Sequence, residues 1–141
     1  MRIMGLDFGA KTVGVAISDP LLMTAQPVEV IRRDREDKLR RSLARIEELI
    51  GENGVGHIVL GMPYNMDGSI GSRGELTLAF KEQLERRSGL PVILWDERLT
   101  TVEADEVMEA GGVAHRKRGE YVDMVAASLI LRDYMAHCPH R

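Results

Sequence analysis

A single cysteine, Cys138, stands near the end of the chain. No disulfide can close within the chain and no Cys-rich zinc site can be built. That usage fits a reducing cytosol. Aromatic residues are scarce, at 4%, so packing must rest on Leu, Ile, Val, Met and Ala. No apolar run approaches the ~20 residues of a membrane span. The N-terminus enters a strand-like segment at once, without a secretory leader pattern. The expectation is a soluble, cytoplasmic protein with no membrane partner. No Ser/His/Asp or Cys/His nucleophile set is legible, and no Gly-Lys-Ser/Thr phosphate loop occurs. Neither sign of charge dominates. The net charge of -3 does not advertise a polyanionic partner, although net charge hides patches.

What is present is ordinary globular composition, 44% hydrophobic and 29% charged over 141 residues. That length suits one domain, 1–141, with a real core. The chain is organised around Met4-Gly-Leu-Asp-Phe-Gly-Ala-Lys-Thr-Val-Gly-Val-Ala-Ile-Ser18. Here one carboxylate, Asp7, interrupts an apolar strand. Asp is depleted in strands, and a charge there is costly unless it is paired or binds a cation. Pairing the two strands as a hairpin with Gly9 to Thr12 as the loop sets Asp7 opposite Gly14. One face then carries Met4, Leu6, Phe8, Val13, Val15 and Ile17. The other is a floor of Ile3, Gly5, Asp7, Gly14, Ala16 and Ser18. A one-residue slip would destroy this pattern.

Further strands are expected at Val28–Arg33, after a loop holding Pro27, at His57–Gly61 and at Pro91–Trp95. Helices are expected from about Glu36 to Ile50, stopped by Gly51, Asn53 and Gly54, and from Glu75 to Ser88. The second of these has Leu76, Ala79, Phe80 and Leu84 on one side. Thr100 and Glu103 form a capping box for a third helix to about Ala110. A last helix spans about Glu120 to His137. Met62 and Met66 are assigned to packing. The order β-β-β-α-β-α-β-α-α predicts an α/β fold, a mixed five-stranded sheet flanked by helices. Sites in such sheets gather at the carboxyl ends of parallel strands.

Asp7, the 61–68 loop and the pair Asp96-Glu97 all fall at such ends. Adjacent residues point to opposite faces, so only one of Asp96 and Glu97 can join Asp7. Asp123 lies one turn into the last helix. Ala126 and Ala127 give that helix a smooth face that could lie on the floor. Three converging carboxylates would repel one another without cations between them, and hard oxygen ligands select Mg²⁺ or Mn²⁺. Each acid also has a plain structural reading: Glu97 can pair with Arg98, and Asp123 can be a solvated helix residue. Basic residues cluster from Arg32 to Arg45, where Asp34, Glu36 and Asp37 dilute them. A second group, His115, Arg116, Lys117 and Arg118, suits a clamp on nucleic-acid phosphates.

Four blocks in this order carry a resemblance that runs nearly end to end. They are Leu6-Asp-Phe-Gly-Ala-Lys-Thr-Val-Gly-Val-Ala16, Gly61-Met-Pro-Tyr-Asn-Met-Asp-Gly68, Asp96-Glu-Arg-Leu-Thr-Thr-Val-Glu-Ala104 and Asp123-Met-Val-Ala-Ala127. The chain resembles the YqgF/RuvX proteins, Holliday-junction-resolvase-like members of the RNase H-like superfamily. The family pattern often has Leu where this chain has Met62, and Ser where it has Thr100. Both changes keep the physical character. The resemblance implies an RNase H-like fold and metal-dependent phosphodiester cleavage by an endonuclease. It also implies a role in maturing the 5′ end of pre-16S rRNA, or in resolving branched DNA. Asp7, Glu97 and Asp123 become the catalytic and metal-binding carboxylates, with Asp96 in reserve. Lys11, Asn65, Arg98, Arg116, Lys117 and Arg118 become the nucleic-acid contacts.

Two other classes compete. Asp-x-Gly before a polar turn also opens the phosphate loop of the actin and sugar-kinase fold, but that fold needs two such lobes. A non-catalytic nucleic-acid or ribosome-associated factor would use the basic clusters equally well. The chain could act as a monomer or, on a two-fold junction, as a homodimer.

Overall fold

The computed structural model describes residues 1–97 and 118–137, with side chains of the last stretch described from 125 onward. Five strands form one sheet: β1 (Arg2–Phe8), β2 (Thr12–Ser18), β3 (Ala25–Arg32), β4 (Val55–Met62) and β5 (Val92–Asp96). Their spatial order is β3-β2-β1-β4-β5. β1 is antiparallel to β2 and parallel to β4, and β5 is parallel to β4. The helices are α1 (Arg40–Asn53), α2 (Ser72–Ser88) and α3 (Arg118–His137). The mixed five-stranded α/β architecture predicted from the sequence is present. The helix expected over 100–110 lies outside the described residues.

The hairpin register is the predicted one. Asp7 faces Gly14 and Phe8 faces Val13. The bulky face packs under α1 and α2, where Met4, Leu6, Phe8, Val13, Val15 and Ile17 join Leu43, Ile46, Phe80 and Leu84 in one core. Phe8 stacks on Phe80 with ring centroids 4.2 Å apart. Such a pair contributes about 0.5–1.5 kcal/mol beyond its buried area. The small-residue face takes α3. Ile3 and Ala16 pack there with Ala127, Ile130 and Leu131. A Cβ at Gly5 would lie 2.7 Å from Leu131 Cβ and 2.8 Å from the Ala127 carbonyl oxygen. Gly5 therefore sets how closely the helix approaches the sheet.

Five expectations shift. Pro27 lies inside β3, not before it. It sits opposite Ala16, where the β2–β3 register slips, on an edge strand where a missing N–H is tolerated. Helix α1 begins at Arg40, because residues 34–38 turn first: Lys38 N–H donates to the Arg35 carbonyl (3.1 Å). Gly51 is helical, and the stop falls at Gly54, whose φ of 64° is left-handed. On α2 the buried line is Thr77, Phe80 and Leu84, while Leu76 is 44% exposed. The Thr77 hydroxyl satisfies itself on the Arg73 carbonyl (2.9 Å), which lets a polar residue face the core. Met62 is buried as expected, but Met66 is 89% exposed, outside the core. Among the described residues no helix is long and apolar enough to cross a membrane.

Candidate active site

The carboxyl ends of β1, β4 and β5 lie along one edge of the sheet because the three strands run parallel. Asp7 is the penultimate residue of β1, and its side chain lies on the α3 face with Ile3 and Gly5, by strand alternation. Leu6 pairs with Leu60, so Asp7 comes alongside Gly61. Past the end of β5, Glu97 N–H donates to the Met62 carbonyl (3.3 Å) and extends the pairing by one residue. The Glu97 carboxylate then folds back over Gly61. A Cβ at Gly61 would collide with that carboxylate and would sit 2.6 Å from Ile130 Cδ1. Gly61 is a cradle for a charged group that the sheet could not otherwise accept.

Asp96 goes the other way. Ile93 and Trp95 face α3, whereas Val92 and Leu94 face the α1/α2 core. Alternation puts Asp96 with the second set, and it is exposed. Asp7 and Glu97 therefore share a face that Asp96 does not.

The polarity of α3 follows from two contacts. Tyr134 meets His57, near the start of β4, at 5.9 Å between ring centroids. Ile130 meets Gly61, near its end. The helix thus runs from the strand carboxyl ends towards the strand starts. Asp123 belongs to its N-terminal half, two turns beyond Ile130 towards the edge where Asp7 lies. Its side chain is outside the described residues. Among the described residues no three His, Cys, Asp or Glu side chains gather as a metal-binding group.

The expected nucleic-acid contacts divide. Lys11 is exposed on the hairpin turn. Asn65 is exposed too, but its amide donates to Ser69 Oγ (3.0 Å) and packs against Gly71. Asp67 accepts from the Ser69 N–H and hydroxyl at 2.9 and 2.6 Å. Both residues build the 63–71 turn. Arg98, Arg116 and Lys117 lie outside the described residues. Arg118 opens α3, but its side chain is not described.

Two arginines near the site carry no sequence periodicity that would single them out. Arg33 and Arg73 each place the guanidinium carbon 4.9 Å from the Phe8 ring centroid. Arg33 Nη2 donates to the Gly9 carbonyl at 2.6 Å, and Arg73 Nη2 reaches the Phe8 carbonyl at 3.4 Å. Burial, with the neighbouring Arg73 charge, pulls the Arg33 pKa below its ordinary value. Trp95 is likewise more than filler, since its Nε1–H donates to Asp133 Oδ2 at 2.7 Å and ties β5 to α3.

A model of the RuvX family, described as Holliday junction resolvase, matches residues 1–137. The chain belongs to the RuvX family. This RuvX chain is 58% identical over 135 residues to a protein of Lachnospira eligens, with 96% of both chains covered. It is 57% identical over 135 residues to one of Agathobacter rectalis, covering 96% of this chain and 94% of that one. Both relatives are named, provisionally, pre-16S rRNA nucleases. Among solved structures, Thermus thermophilus RuvC in complex with a Holliday junction substrate superposes with a TM-score of 0.60 at 16% identity, covering 98% and 96% of the two chains. The fowlpox virus Holliday junction resolvase gives 0.59 at 18% identity, covering 97% and 99%. At such identities the likeness is one of fold, and the fold of this RuvX chain is the RNase H-like resolvase architecture.

Proposed function

We propose that the chain is a divalent-metal-dependent endonuclease that hydrolyses phosphodiesters in structured RNA, in processing the 5′ end of pre-16S rRNA. The observation that carries this reading is the Glu97 carboxylate seated on Gly61, beside Asp7, at the carboxyl edge of the sheet. A buried glycine kept open for a carboxylate is a cradle with oxygen donors only, the set that suits Mg²⁺ or Mn²⁺. Asp7 and Asp123 would hold the ions, and Glu97 would hold the second ion or orient the attacking water. When bound, such ions supply charge stabilisation on the phosphoryl oxygens and acidify a water. Lys11, Arg98 and the 115–118 segment would hold the phosphodiester backbone, and Asn65 would shape the loop beside it. The names of the relatives support RNA as the substrate.

The family description favours a second reading, resolution of branched DNA, for which a homodimer would match the two-fold substrate. The two readings part on substrate. Purified protein with Mn²⁺ is incubated with a pre-16S rRNA 5′ fragment, a four-way DNA junction and an unstructured strand. Faster cleavage of the rRNA fragment supports the first reading, and faster cleavage of the junction supports the second. Three intact substrates would refute both. The protein would work in the cytoplasm, as a single domain.

A further inference from the structure

A cavity of about 630 Å³ opens beside the hairpin turn, between the end of β3 and the start of α1. Six cations between residues 32 and 41 line it, with Asp34 the one acid among them. The protein as a whole carries a net charge of -3, so this concentration is local.

Nearby acids leave at least three of these cations without a partner among the described residues. Asp37 pairs with Arg35 at 3.4 Å, with both side chains largely exposed. Glu36 is taken by Arg73, outside the cavity. Among the described residues Lys38, Arg40 and Arg41 have no acidic partner.

The start of α1 breaks the usual rules. Its N-cap is Leu39, with no side-chain cap, and no acid lies in the first turn. Arg40 and Arg41 occupy that turn instead, against the helix dipole. Uncapped N–H groups and misplaced cations oppose helix formation unless an anion answers both.

A second observation is independent of this. Arg33 also lines the cavity and is 92% buried. Its Nη2 and Nε are used by the Gly9 and Glu36 carbonyls. Its Nη1 is buried with no hydrogen-bond partner among the described residues. Orphaned donors of this kind are rare in native proteins and call for a missing acceptor.

We propose that this cavity binds the phosphodiester backbone of the nucleic-acid strand, as a second anchoring site apart from the carboxylate edge. The proposal rests on the nuclease reading for the identity of the anion. The cavity adjoins the turn that follows Asp7. The Arg33 N–H donates to the Lys11 carbonyl at 2.9 Å, and its guanidinium holds Gly9. A strand lying across the carboxyl edge would continue over Lys11 into the basic cavity. Contacts there go to phosphates, so they position the substrate without reading its sequence.

The test is binding of a fluorescein-labelled RNA hairpin, followed by anisotropy in EDTA over a series of KCl concentrations. The variant is Arg40→Glu with Arg41→Glu. Both positions are exposed, and acids in the first turn suit the helix, so the fold is kept. The variant should lose about tenfold or more in affinity, and its salt slope should flatten by about one to two. Unchanged affinity and slope would overturn the proposal. So would displacement of the RNA from wild-type protein by micromolar pyrophosphate, which would mark a small-anion site. A wild-type protein that binds in the expected manner but cleaves nothing would refute the nuclease reading alone.

Discussion

The Glu97 carboxylate occupies the space that a side chain at Gly61 would fill. A charged group is thereby laid flat on a sheet, one strand from Asp7. Gly61→Ala must push the carboxylate, and Ile130 with it, off the strand. Misplacement on the scale of an ångström costs about a hundredfold in rate, and overpacking costs about 1–3 kcal/mol. Cleavage and thermal unfolding of the variant, measured together, should show the larger loss in cleavage.

Gly5 differs from Gly61 in that its obstacles are backbone and Cβ atoms of α3, which cannot rotate away. Gly5→Val should lower stability by about 1–3 kcal/mol or more through overpacking. Gly51 provides the contrast. It lies within α1 with nothing within 4 Å of a Cβ, so Gly51→Ala should raise stability by roughly 0.5–1 kcal/mol. Urea unfolding midpoints of the two variants should move in opposite directions.

Much of this was readable from residues alone. Alternation across Ile3–Ser18 specified the hairpin register, the two faces and the seating of the last helix, because each face has one chemical character. The pair Asp96-Glu97 was narrowed to one member by alternation, but which member faces Asp7 depends on the side of β5 that meets α3. That is a tertiary fact. Arg33 and Arg73 were not legible as a pair, since 39 intervening residues separate them and only Phe8 brings them together. Leu76 was misassigned for a related reason. Helical spacing offers Leu76 and Thr77 alternative stripes, and a hydroxyl that bonds its own helix decides for Thr77.

Asp133 holds the indole N–H of Trp95 across the α3–β5 contact. Asp133→Ala leaves that donor without its acceptor, at a cost of about 1–3 kcal/mol. Trp95 is the one tryptophan of the chain, so its fluorescence reports the change directly. The emission should shift in the folded variant, and the unfolding midpoint should fall.

The turn between β2 and β3 is organised by Asp19. Its carboxylate accepts the N–H groups of Thr24 and Met23, each at 2.7 Å, and of Leu21 at 3.2 Å. The Thr24 N–H is the largest influence holding the Asp19 pKa below its ordinary value of 3.8. A depressed carboxyl stabilises the fold above its unfolded pKa, and that contribution is lost as pH falls through the folded value. Side-chain NMR titration should therefore place the Asp19 midpoint below 3.8. Amide exchange at Thr24 should quicken over the same acidic range. A midpoint at or above the ordinary value would show that the turn does not hold the charge.

The central claim is that Asp7 and Glu97 act together at the strand ends on a phosphodiester. The most direct measurement is single-turnover cleavage of an end-labelled pre-16S rRNA fragment in Mn²⁺, by the wild type and by Asp7→Asn, with unfolding followed on the same samples. The expected result is a discrete wild-type product near the mature 5′ end, abolished in Asp7→Asn while the variant stays folded. Equal cleavage by a folded Asp7→Asn would contradict it.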